Sequence, residues 1–134
     1  MSIKNIIFDF GGVVLDIDPQ LTIDEFVKLG FTDFDKLSTP EFTDEIIGKF
    51  ERGILTPEVF RTKLKKFLDI DVTDQQLDDA WNSLLYDIPR ERIEILEQGK
   101  KNYQIILLSN SNEIHYDLFV RDLQLRFGYR EFDD

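Results

Sequence analysis

The chain has 134 residues, a formal net charge of −11 and no cysteine. No cysteine means no disulfide framework, thiolate metal site or cysteine nucleophile. The acidic field repels phosphate backbones and anionic lipid, so neither nucleic acid nor a membrane surface is an expected partner.

A chain of 134 residues suits one domain, or a small core with an insertion, and the 42% hydrophobic content is enough for a packed core. No apolar run approaches the roughly 18 residues of a membrane span. Asp9 interrupts any secretory h-region, so a cytoplasmic protein is expected.

In chain order, Ile3, Ile6, Ile7 and Phe8 form a short, β-branched apolar run that predicts a buried strand over residues 3–9. The run stops at Asp9, and Gly11 and Gly12 follow. A carboxylate at the end of a buried strand, with pliable backbone after it, is a candidate nucleophile or metal ligand. The same residues fit a plain Asp-x-Gly turn, and both readings stand at this point.

After Leu15 the period changes. Asp18-Pro19 predicts a helix start, with Leu21, Phe26 and Leu29 on its inner side and Gly30 as its stop. Thr39-Pro40-Glu41 and Thr56-Pro57-Glu58 each place a capping hydroxyl, a proline and an acid in order for a helix start. The first of these helices carries Phe42, Ile46, Ile47 and Phe50. The second carries Val59, Phe60, Leu64, Phe67 and Leu68. Thr73 and Gln76 have capping-box spacing ahead of Leu77, Ala80, Trp81, Leu84 and Leu85. Residues 16–87 therefore read as a small all-helical bundle.

Pro89-Arg90 opens another helix, which Gly99 and the Lys100-Lys101 pair are expected to close. Residues 103–108 form a second apolar strand, followed by Ser109-Asn110-Ser111-Asn112. A helix over 113–125 comes next, with Ile114, Leu118, Val120 and Leu123 inward. Two apolar strands joined through helix call for a parallel sheet covered on both faces, an α/β architecture. His115, the single histidine, reads as a helix-surface or supporting residue, and Trp81 as core. Glu51-Arg52 and Lys63, Lys65 and Lys66 read as solvated helix faces.

Ile-Ile-Phe-Asp-Phe-Gly-Gly-Val-Val-Leu-Asp-Ile-Asp (6–18) resembles motif I of the haloacid dehalogenase (HAD) superfamily. Ile-Ile-Leu-Leu-Ser-Asn-Ser-Asn (105–112) resembles its motif II. The helical stretch between them stands where that superfamily inserts a helical cap. The resemblance covers essentially the whole chain and is closest to the Asp-x-Gly branch of sugar-phosphate phosphatases.

It implies a HAD-like Rossmannoid core, here truncated, from residues 1–15 and 88–134, with residues 16–87 as cap. It also implies Mg²⁺-dependent hydrolysis of a small phosphorylated metabolite. Asp9 matches the nucleophile that becomes an aspartyl-phosphate. The Asp9 side chain and the Gly11 carbonyl match metal ligands. The Ser109 hydroxyl, with backbone amides at Gly11, Gly12 and Asn110, matches the phosphate cradle.

The chain departs from the family pattern in three places. Gly11 stands where most of the family's phosphatases carry a second Asp, the acid for the leaving oxygen. Asp16 and Asp18 are the nearest substitutes, with water as the remaining source. The motif III lysine is missing, since the last lysine is Lys101. Asp133-Asp134 follows a charged, loop-like stretch and does not read as the metal-binding acids of motif IV.

The expectation is an N-terminal part of a family member, inactive as it stands. Members that displace halide also lack the second Asp, so haloacid dehalogenation is the alternative reaction. A non-catalytic interaction module, self-associating through exposed sheet edges, is the alternative of another class.

Overall fold

The computed structural model describes residues 2–129. The Asp133-Asp134 reading lies outside them. The chain divides into two compact units, residues 1–18 with 85–110 and residues 19–84 with 111–134.

The first unit is built on two parallel strands, β1 (Asn5–Asp9) and β4 (Gln104–Leu108), in register from Asn5 with Gln104 to Asp9 with Leu108. Both strands alternate along their length, with Ile6, Phe8, Ile105 and Leu107 on the better-covered side. Helix α5 (Arg90–Lys100) packs on β4. The helix ends at Lys100, where Gly99 and the Lys100-Lys101 pair are expected to close it, and Gly99 lies one residue inside that end. A Cβ there would come within 3.1 Å of Ile105 Cδ1, so this glycine allows helix and strand to pack closely.

The unit also holds an element the sequence did not suggest. Short strands β2 (Asp16–Ile17) and β3 (Leu85–Asp87) pair antiparallel. Residues 16–87 are thus helical only between these two ends. Leu84 and Leu85 continued the helical period of their neighbours, but the helix before them stops at Asn82.

The second unit is helical: α1 (Pro19–Lys28), a 3₁₀ turn (Phe34–Ser38), a π-helical stretch (Glu41–Gly48) running into the single turn α2 (Lys49–Glu51), α3 (Pro57–Leu68), α4 (Asp74–Asn82) and α6 (Glu113–Phe127). Its core centres on Phe60, Leu64 and Leu77, none of them exposed. Phe50 stacks on Phe60 with centroids 4.0 Å apart, and Trp81 tilts against Phe60 at 5.3 Å.

The helix starts follow the sequence. Pro19 is the first residue of α1. The Thr56 side chain accepts the Val59 N–H, and Thr73 with Gln76 forms a complete capping box. The start near Thr39 differs, because the helix it opens is π-helical, with hydrogen bonds one residue longer than in an α-helix. In α6 the inward residues are Ile114, His115, Phe119 and Leu123, whereas Leu118 is 38% exposed. Apolar residues surround this helix, so its period could not choose the buried face.

Candidate active site

The parallel register decides where the chemistry-bearing residues stand. Asp9 ends β1 directly opposite Leu108, which ends β4, so Asp9 and Ser109 leave the sheet at the same, carboxyl, end. In open α/β sheets this is the end at which ligands bind. Asp9, Ser109 and Asn110 are all exposed there.

The loop after Asp9 is tightly built. One Asp9 carboxylate oxygen accepts the Phe10 N–H at 2.7 Å. The Phe10 carbonyl accepts from Val14 and Leu15, both at 2.9 Å, and from Val13 at 3.3 Å. Phe10, Val14 and Leu15 are buried and anchor the loop. Gly12 turns it with a φ of 81°, a conformation that costs other residues roughly 1–2 kcal/mol.

The Gly12 amide donates to the Leu15 carbonyl at 2.7 Å. The expected donation from Gly12 to phosphate is therefore already taken in this structure, and its role in the loop is conformational. Gly11 is different. A Cβ there would meet nothing closer than Ile17 Cδ1 at 3.9 Å, so the backbone does not require glycine.

On the other strand end, the Ser109 hydroxyl makes only a long, 3.3 Å contact to the Asn110 carbonyl. Of the two substitutes for the missing acid, Asp16 is ion-paired with Arg92 Nη1 at 2.6 Å. That partner lies 76 residues away in sequence, and no local pattern announces it. Asp18 is exposed just ahead of α1.

Asp9 and the Gly11 carbonyl supply hard oxygen donors of the kind Mg²⁺ takes. Among the described residues no three His, Asp or Glu side chains converge on a metal-sized site. The donor set thus suits Mg²⁺ in kind and is partial in number.

Of the surface and supporting readings of His115, burial removes the surface one: it lies in the interior, at 7% exposed. Its ring stacks on Trp81 at 4.9 Å, and its Nδ1 lies 2.8 Å from Asn82 Oδ1. That oxygen is an acceptor, so Nδ1 carries the proton of a neutral ring. Burial lowers its pKa to about 4, which keeps it uncharged at neutral pH. Trp81 is core, as its amphipathic setting suggested. Among the described residues no helix is long and apolar enough to cross a membrane.

No protein-family model matches the chain. A crystal structure of a HAD family enzyme from Bacteroides thetaiotaomicron superposes with a TM-score of 0.87 at 35% identity, covering 98% of this chain and 64% of that one. The same enzyme in complex with magnesium and inorganic phosphate gives 0.83 at 34% identity, over 90% of this chain and 60% of that one. The chain belongs to the haloacid dehalogenase superfamily.

Two further similarities accompany these. A HAD-like family hydrolase from Porphyromonas gingivalis gives a TM-score of 0.74 at 31% identity, over 87% of this chain and 55% of that one. The D-ribitol-5-phosphate phosphatase of B. thetaiotaomicron is 33% identical over 110 residues, 82% of this chain and 53% of the relative. The HAD chain thus spans about half the length of that curated relative.

Proposed function

We propose that the whole protein is a Mg²⁺-dependent phosphomonoester hydrolase of the cytoplasm. Its substrate is a small phosphorylated metabolite, and a sugar or polyol phosphate is the class suggested by the ribitol-5-phosphate phosphatase relative. The observation that carries this reading is the register pairing Asp9 with Leu108, which sends Asp9 and Ser109 out of the same sheet end. Residues 1–15 and 88–134 would form part of the catalytic core, and 16–87 the cap.

Asp9 is the nucleophile. One carboxylate oxygen forms a bond to phosphorus while the ester P–O bond breaks, giving an aspartyl-phosphate and an alkoxide that takes up a proton. Water then attacks this acyl phosphate, releasing inorganic phosphate and restoring Asp9. The Ser109 hydroxyl and the amides of Gly11 and Asn110 hold the non-bridging oxygens. Asp9 and the Gly11 carbonyl would hold Mg²⁺, which when bound offsets repulsion between carboxylate and phosphate dianion.

The leaving-group proton has no dedicated donor at Gly11. Asp16 is ion-paired with Arg92 and would have to leave that partner to donate; Asp18 and water are the other candidate sources. A Cβ at position 11 would meet nothing closer than Ile17 Cδ1 at 3.9 Å, so the backbone there accepts a side chain. Gly11→Asp in the longer protein should therefore raise turnover of alkyl phosphates, which have poor leaving groups, more than that of p-nitrophenyl phosphate.

The 134-residue chain alone should be nearly inactive, since it has no lysine after Lys101 and Asp9 and Gly11 offer only a partial metal site. The partly exposed sheet should also make it self-associate. The test is phosphate release from p-nitrophenyl phosphate with Mg²⁺. It compares this chain, a chain extended to its relatives' length, and the extended Asp9→Asn variant. Robust turnover by the short chain contradicts the incompleteness. Undiminished turnover by Asp9→Asn removes the nucleophile. Halide release from a haloacid without Mg²⁺ would replace the reaction class.

A further inference from the structure

Arg92 stands in the first turn of α5, where a cation opposes the helix dipole, so its place there asks for a partner. That partner is Asp16, whose Oδ1 lies 2.6 Å from Arg92 Nη1. Across the β2–β3 ribbon Asp16 is the direct partner of Asp87. Like charges placed opposite one another in an antiparallel pair are destabilising, and a guanidinium beside one of them offsets the repulsion. The ribbon has little else to hold it. β2 has two residues and β3 three, and the register shifts between Asp16 and Ile17. Backbone bonds alone leave such a short pair marginal.

The residues on either side of Asp16 hold the loop that follows Asp9. The Leu15 carbonyl accepts the Gly12 amide at 2.7 Å, and the Leu15 amide donates to the Phe10 carbonyl at 2.9 Å. Ile17 Cδ1 lies 3.9 Å from the position of a Cβ at Gly11. The Phe10 N–H in turn donates to the Asp9 carboxylate at 2.7 Å. Contacts thus run without a break from Arg92 to Asp9. Every residue in them belongs to the strand unit. Both ends of the loop are referred to one sheet: β1, which ends at Asp9, pairs with β4, and α5 packs on β4.

We propose that Arg92 is a positioning residue for Gly11 and Gly12, acting through Asp16. It offsets the charge of the Asp16–Asp87 pair and fixes the far end of the loop, while β1 fixes the near end. What the Gly11 carbonyl and amide bind rests on the phosphatase reading, whereas the anchoring of the loop does not.

The test records amide resonances and hydrogen exchange at Gly11 and Gly12 in the 134-residue chain, with the urea midpoint beside them. Arg92→Gln removes one charge of the pair and Asp16→Asn the other. Asp16→Arg combined with Arg92→Glu rebuilds the pair with its sense reversed. Each single variant should shift both glycine resonances and speed exchange of the Gly12 amide by about fivefold, the most that a partly exposed pair supplies. The reversed pair should bring both back toward the wild type.

A pair that only adds stability would lower the midpoint and leave both glycine amides as they are in the wild type. Unmoved glycine amides overturn the proposal whatever the midpoint does, and so does a reversed pair that restores nothing. If Arg92→Gln fails to fold, Asp16→Asn and the reversed pair decide. Failure of the extended protein to release phosphate would break the phosphatase reading and leave this result standing.

Discussion

The helical unit and the strand unit differ in what they do with their apolar residues. In the helical unit Phe60, Leu64 and Leu77 are fully buried and the aromatic rings pack on one another. In the strand unit Ile7 is 61% and Leu108 69% exposed, on the side of the sheet away from Ile6 and Phe8. A two-stranded sheet with one apolar face in water is marginal by itself. The helical unit is therefore expected to supply most of this chain's stability, while the strand unit holds the residues to which the proposed chemistry is assigned.

Substitutions sharpen this contrast in descending order of effect. Phe60→Ala should cost about 3–5 kcal/mol and lower the urea midpoint of the helical signal sharply. A small change would mean that the helical core is not the source of stability.

His115 supplies the next effect. Its folded pKa is lowered to about 4 by burial, below the ordinary value of 6.5. As pH falls below about 6.5 the unfolded chain takes up the proton first, so stability is fully present above that pH. It is lost as pH approaches 4, by roughly 3 kcal/mol in all. Urea denaturation at several pH values should show this slope in the wild type and a flatter one in His115→Gln.

Thr73→Ala removes one side of the capping box and should cost about 1 kcal/mol, read by the same denaturation curve. Ile7→Ala should change stability by less than about 0.5 kcal/mol, because the side chain is already largely in water. Its effect belongs instead to association. Ile7→Lys should shift the sedimentation profile toward monomer, and an unchanged profile would remove the exposed face as a contact surface.

Much of this was legible in sequence where a local rule acts alone. The apolar runs ending at Asp9 and Leu108 required strands of a parallel sheet, and Thr73 with Gln76 required a helix start. Legibility failed where a distant partner decided. Arg92 meets Asp16 across the chain, and His115 is buried because Trp81 and Asn82 receive its ring. Leu85 joins a strand because Ile17 is opposite it, although its neighbours keep helical spacing. Gly99 marked the helix end correctly, but its close packing against Ile105 was not legible, because that depends on the strand beneath. At the candidate site the residue types were readable, but the donation from Gly12 to Leu15 was not, since it depends on how the loop closes.

The most direct measurement is acid-quench mass spectrometry of the extended protein, mixed with Mg²⁺ and a phosphorylated substrate. A phosphoryl group should appear on the peptide carrying Asp9 during turnover and be absent from Asp9→Asn. Turnover that proceeds with that peptide unmodified, or that survives Asp9→Asn, would contradict the role assigned to Asp9.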